Sequence, residues 1–125
     1  MKAGKSVLVI GFEPTLLDYT TIPDLDAAKV MAGLKADETR LRNLGYDVEL
    51  CFLHDLGETA ETVVRDRLRQ KQFDCIVIGA GVRTIPKYFI LFEKLINVVH
   101  EHAPRAKLCF NTKPSDTAEA VQRWI

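Results

Sequence analysis

Apolar and polar positions follow two different rhythms along this chain. Four short stretches are dense in β-forming residues: 6–10, 47–53, 74–78 and 107–111. Two of them contain the runs Val7-Leu8-Val9-Ile10 and Cys75-Ile76-Val77-Ile78, which are apolar at every position. A strand of that kind is covered on both faces, as at the centre of a parallel sheet. The other two, Val48-Glu49-Leu50-Cys51-Phe52-Leu53 and Leu108-Cys109-Phe110, have polar flanks and suit sheet edges.

After each strand the rhythm becomes helical. Asp24 or Asp26 can cap a helix that runs to about Asn43. Its inward stripe reads Leu25, Ala28, Met31, Leu34 and Leu41, with Lys29, Lys35, Asp37, Glu38, Arg40 and Arg42 outward. Gly45 is the expected stop. A second helix is expected over residues 58–70, with Ala60, Val63, Val64 and Leu68 on its core face. The third starts at Pro86, a residue suited to a first helical turn, and ends before Pro104. The fourth follows Ser115 as N-cap and carries Ala118, Val121 and Trp124.

The product is βαβαβαβα in units of about 30 residues, which makes residues 1–125 one α/β domain. Right-handed crossovers with strands 1 and 3 central give a four-stranded parallel sheet in the order 2-1-3-4. The second and third helices then share one face, and the first and fourth cover the other. Such a three-layer α/β/α sandwich resembles the flavodoxin-like, Rossmann-like class with one βα unit missing. The resemblance is to a fold class and implies no activity. A flavodoxin holds phosphate in a Ser/Thr/Gly loop after strand 1, whereas Gly11-Phe12-Glu13-Pro14-Thr15 lacks the closely spaced hydroxyls. A response-regulator receiver needs an acidic pair there and a phosphorylatable Asp ending strand 3. This chain has Glu13 alone and Gly79. The dinucleotide fingerprint needs three glycines after strand 1, and Gly11 stands alone. No cofactor is assigned.

Composition narrows the partners. The 17 Lys+Arg balance 17 Asp+Glu, so the formal net charge is zero. Nucleic acid and an anionic membrane therefore lose their electrostatic rationale as partners. No run approaches the roughly 18 apolar residues of a membrane span. The apolar run after Met1-Lys2-Ala3-Gly4-Lys5 is about half a signal h-region, so a cytoplasmic location is expected. Cys51, Cys75 and Cys109 are far apart and each lies in an apolar run, which reads as buried thiols. His100 and His102 stand at i and i+2 of a helix and do not face each other, so no metal site is expected.

In an open parallel sheet, ligands bind outside the carboxyl ends of the strands, where strand order reverses. Here that crevice falls between the loops after strands 1 and 3. The first, residues 11–23, is unusually long. The second, residues 79–84, holds two glycines that allow a tight turn, a positive φ or close approach to an anion. The candidates gathered at this edge are Gly11, Glu13, His54, Asp55, Gly79, Gly81, Arg83, Asn111 and Lys113. Arg83 can clamp a carboxylate or phosphate, or pair with Glu13 or Asp55 as structural support. Glu13 can serve as a base or hold the turn before Pro14. Histidine is a residue type suited to proton transfer, which makes His54 a candidate base. Asp55 suits a cap, and Asn111 and Lys113 either orient a polar ligand or form a helix entry. The expectation is a small anionic ligand at this edge, with no complete catalytic set.

The third helix offers an alternative. Tyr88, Phe89, Leu91, Phe92, Leu95, Ile96, Val98 and Val99 span an arc of roughly 180°, and Ile90 falls on the polar side. One sheet face needs an arc of only about 100°. Tyr88, Phe89, Ile90 and Phe92 are thus candidate interface residues of a homodimer or of a non-catalytic regulatory domain.

Overall fold

The computed structural model describes residues 4–20 and 24–125. Residues 1–3 and the end of the long first loop, residues 21–23, lie outside the described residues. The strands are β1 (Ser6–Phe12), β2 (Asp47–Leu53), β3 (Cys75–Ile78) and β4 (Lys107–Cys109). They pair in parallel in the order β2-β1-β3-β4, with the two continuously apolar strands in the middle. The helices are α1 (Ala27–Asn43), α2 (Ala60–Gln70), the single turn α3 (Ala80–Arg83), α4 (Phe89–His102) and α5 (Thr117–Gln122). This is the flavodoxin-like three-layer sandwich with four strands.

Strand alternation sorts the core into two halves. Leu8, Ile10, Cys51, Leu53, Ile76 and Ile78 face α2 and α4, where Val64 and Leu95 meet them. Val7, Val9, Val48, Cys75, Val77 and Cys109 face α1 and α5, against Leu41, Ala118 and Val121. Each large side chain buried this way contributes about 1.5–3 kcal/mol. The two central strands supply both halves.

Several boundaries move from where local pattern puts them. Asp26, not Asp24, caps α1, accepting from Lys29 N at 2.8 Å, and Gly45 stops it at φ +98°. The third predicted helix does not begin at Pro86. The chain first makes α3, then a 3₁₀ turn over Pro86–Tyr88 that keeps proline in a first turn, and only then α4. The fourth is entered through Asp116, not Ser115; its Oδ1 accepts from Thr112 N at 2.9 Å and Lys113 N at 3.2 Å. Trp124 lies beyond α5 and is exposed. Among the described residues, no helix is long and apolar enough to cross a membrane.

The inner stripe of α1 is the largest departure. Ala28 is exposed, and the buried positions are Val30, Asp37 and Leu41. Asp37, expected outward, is only 4% exposed. The reason lies in α5, whose first turn brings backbone N–H groups that have no partner within their own helix. Asp37 Oδ2 accepts from Ala118 N at 3.0 Å, and Arg40 lies 3.5 Å from its Oδ1. Asp37→Ala strands that buried amide and should cost about 1–3 kcal/mol in urea denaturation. Asp37→Asn keeps an acceptor and should recover most of the loss. Equal stabilities of the alanine variant and the wild type would refute this role.

Candidate functional site

Along the α1/α5 face, β1 presents Val7, Val9 and then Gly11, and β3 presents Cys75, Val77 and then Gly79. The register pairs Ile10 with Ile78 and Gly11 with Phe52. Gly79 N extends the pairing by donating to Ile10 O at 2.8 Å. The two glycines are therefore neighbours at the top of the two central strands. A Cβ on Gly79 would lie 3.9 Å from Gly11 Cα, and a Cβ on Gly11 would meet nothing within 4 Å. Neither glycine has a positive φ, so missing side chains matter here, not backbone freedom.

A cavity of about 290 Å³ stands on this floor. Leu50 and Phe52 of β2 and Val30 and Leu34 of α1 form one side. Leu17 and Tyr19 from the first loop close over it, and Thr84 and Ile85 follow α3. The segment Asn111-Thr112-Lys113-Pro114 completes the lining. Pro114 also seats α1, since its Cβ would stand 3.2 Å from a Cβ on Gly33.

Five of the nine candidate residues line this cavity: Gly11, Gly79, Gly81, Asn111 and Lys113. Glu13, His54, Asp55 and Arg83 do not. Gly11 belongs to β1 itself and not to a loop. Glu13 accepts from Thr15 N at 3.0 Å and from the Thr15 hydroxyl, capping a 3₁₀ turn over Pro14–Leu16. His54 is exposed. Asp55 accepts from Gly57 N at 3.0 Å, Thr59 N at 3.3 Å and Thr59 Oγ1 at 2.6 Å. Those donors favour its charged form, the Thr59 hydroxyl most, and lower its pKa to about 2.

Arg83 pairs with neither Glu13 nor Asp55 among the described residues. Its Nε donates to Ile78 O at 2.8 Å. Its Nη2 donates to Asn111 O and reaches Asn111 Oδ1 at 3.3 Å. The guanidinium lies 4.9 Å from the centre of the Phe110 ring. Burial draws its pKa below the ordinary arginine value, against the pull of Asp116. Asn111, 3% exposed, completes the clasp. Its Oδ1 accepts from Ala80 N at 3.0 Å and its Nδ2 donates to Thr117 Oγ1 at 3.0 Å. Arginine and asparagine thus tie the chain after β3 to the chain after β4.

The other polar side chains of the lining are also committed. Tyr19 O–H donates to Pro14 O at 2.7 Å, and burial raises its pKa, with Glu13 and Asp26 adding to the effect. Thr84 Oγ1 donates to Ala80 O at 2.7 Å, and the Thr112 hydroxyl donates to Asp116. Lys113 is the one charged residue lining the cavity among the described residues. Its ammonium has no hydrogen bond or ion pair among them, although its charge reaches Asp116.

Leu17, Tyr19, Val30, Leu34, Leu50 and Phe52 line the site without carrying chemistry, so a search for reactive residues passes over them. The signal that finds them is glycine where a period of two calls for an inward side chain. No protein-family model matches the chain, and no curated protein matches it in sequence.

The depressed pKa of Asp55 sets a pH test. Its charged form stabilises the fold above the ordinary value of 3.8, and that contribution is lost as pH falls toward about 2. The melting-temperature gap between wild type and Asp55→Asn should therefore narrow steadily from about pH 4 to about pH 2. A gap that stays constant over that range would contradict the capping role.

Proposed function

We propose that this protein binds a small molecule with an apolar body and one anionic group at the C-terminal edge of its sheet. The observation carrying this reading is the Gly11–Gly79 floor beneath an apolar lining that holds a single charge, Lys113. Ligand sites of this kind are largely apolar, with a few polar groups that fix orientation. The position, at the point where strand order reverses, is where open parallel sheets take ligands. The Tyr19, Thr84 and Thr112 hydroxyls already donate within the protein, so they offer a ligand acceptor lone pairs and no proton. A carboxylate or phosphate group would meet the ammonium of Lys113. The reading is one of binding, since no His, Cys, Asp or Glu lines the cavity among the described residues. The three free, buried cysteines favour a cytoplasmic setting.

Gly11→Val is the direct test. A Cβ at Gly11 meets nothing within 4 Å, and replacing glycine should stabilise the unliganded protein by about 0.5–1 kcal/mol through the freedom the unfolded chain loses. The same variant should lose the melting-temperature rise that small carboxylates or phosphates give the wild type. Lys113→Met should weaken that response about tenfold without changing the fold. An unchanged ligand response in Gly11→Val would sink the reading.

Exposure at the start of α4 supports a second reading, self-association. Phe89 and Ile90 are 58% and 57% exposed. Tyr88 and Phe92 serve the core instead. Tyr88 is buried with its ring 4.8 Å from that of Phe12, and Phe92 packs edge-on to Phe110 at 5.9 Å. Sedimentation velocity should show a dimer that Phe89→Glu with Ile90→Glu converts to monomer. A wild type that stays monomeric at high concentration removes this reading.

A further inference from the structure

We infer that the ligand is a flat aryl monocarboxylate whose ring lies face-on over Gly11 and Gly79, with its carboxylate turned toward Lys113. This rests on the binding reading above and adds the chemical class. Four positions stand in a row across the top of the sheet, one for each strand: Phe52, Gly11, Gly79 and Asn111. Neighbouring strands are about 4.8 Å apart. Two adjacent glycines therefore leave a bare strip of peptide groups about as wide as one six-membered ring. No Cβ rises from that strip: the place where one would stand on Gly11 is open for 4 Å.

A flat surface of this kind selects for flatness. An aromatic ring lies against peptide planes over its whole face, whereas a saturated ring or chain carries hydrogens on both sides and touches at points. Phe52, next to Gly11 in the register and lining the same cavity, stands at one end of the strip. Aromatic pairs prefer edge-to-face or offset contact, which suits a wall residue beside a ring lying on the floor.

The charge comes from the chain after β4. Lys113 lines the same cavity between Asn111 at the sheet edge and Pro114, which lies against Gly33 of α1. A single uncommitted cation matches a single negative charge. The hydroxyl protons of Tyr19, Thr84 and Thr112 already go to protein acceptors, so few side-chain donors remain for a sugar or a nucleobase edge.

The test is an NMR titration of the full chain with three probes of similar size: phenylacetate, cyclohexylacetate and 2-phenylethanol. Phenylacetate should move the α-protons of Gly11 and Gly79 upfield, the signature of a ring stacked over them. It should bind about tenfold tighter than either other probe, and Lys113→Met should reduce it to the level of 2-phenylethanol. If cyclohexylacetate binds as tightly, or the glycine α-protons move without the upfield sign, the aromatic assignment is overturned and the site stands. If 2-phenylethanol matches phenylacetate, the carboxylate assignment is overturned. If no probe perturbs either glycine at millimolar concentration, the assignment falls together with the binding reading.

Discussion

Parallel pairing of β1 with β3, in a register that sets Ile10 beside Ile78, governs the geometry at the C-terminal edge of the sheet. Because side chains alternate, that register sends Leu8, Ile10, Ile76 and Ile78 to the α2/α4 layer and Val7, Val9, Cys75 and Val77 to the α1/α5 layer. It also brings Gly11 and Gly79 together one step further on. A slip of one residue would turn one strand over relative to the other. Eight apolar side chains resist that slip, and the two glycines share the position the others enforce. The cavity is thus a consequence of core packing: the core ends abruptly where two inward positions lack side chains.

The surrounding polar residues keep the edge rigid. β3 and β4 are short, four and three residues, and end before the loops that must be positioned. Arg83 and Asn111 continue the tie beyond the last ladder bonds, joining Ile78 O, Ala80 N and Thr117. Asp116 gathers Thr112 and Lys113 at the entry to α5, and Asp37 holds the first turn of that helix from α1. Apart from the Asn111–Thr117 bond, which joins two side chains, each of these satisfies a backbone group at the end of a helix or strand. Spending the versatile residues on this work leaves an apolar cavity with one cation at its margin.

Much of this was legible in the residues. Continuous apolarity in Val7–Ile10 and Cys75–Ile78 marked the central strands, and polar flanks marked the edges. Gly79 and Gly81 drew attention as glycines, but their conformational freedom is not what they supply. Gly79 matters for the Cβ it lacks beside Gly11, and Gly81 for allowing Leu17 close, since a Cβ there would lie 3.3 Å from Leu17 Cδ1. Arg83 and Glu13 suggest chemistry and Asp55 suggests a cap, and all three are occupied by structural hydrogen bonds. Asp37 read as a surface residue because its partner, Ala118 N, lies 81 positions away.

Local pattern along the chain is enough to set the element order, the parallel sheet, the central pair of strands and the layer to which each helix belongs. These follow from periodicity and from how apolar each short run is, properties that neighbouring residues carry among themselves. Which polar groups remain uncommitted, and where the core leaves a space, emerges once the chain is packed. Both depend on distant partners: Arg83 meets Asn111 across 28 positions, and Gly11 meets Gly79 only after two crossovers bring β1 and β3 side by side. A hydrogen-bonding side chain shows its capacity in the sequence, but the fold determines whether that capacity is already used.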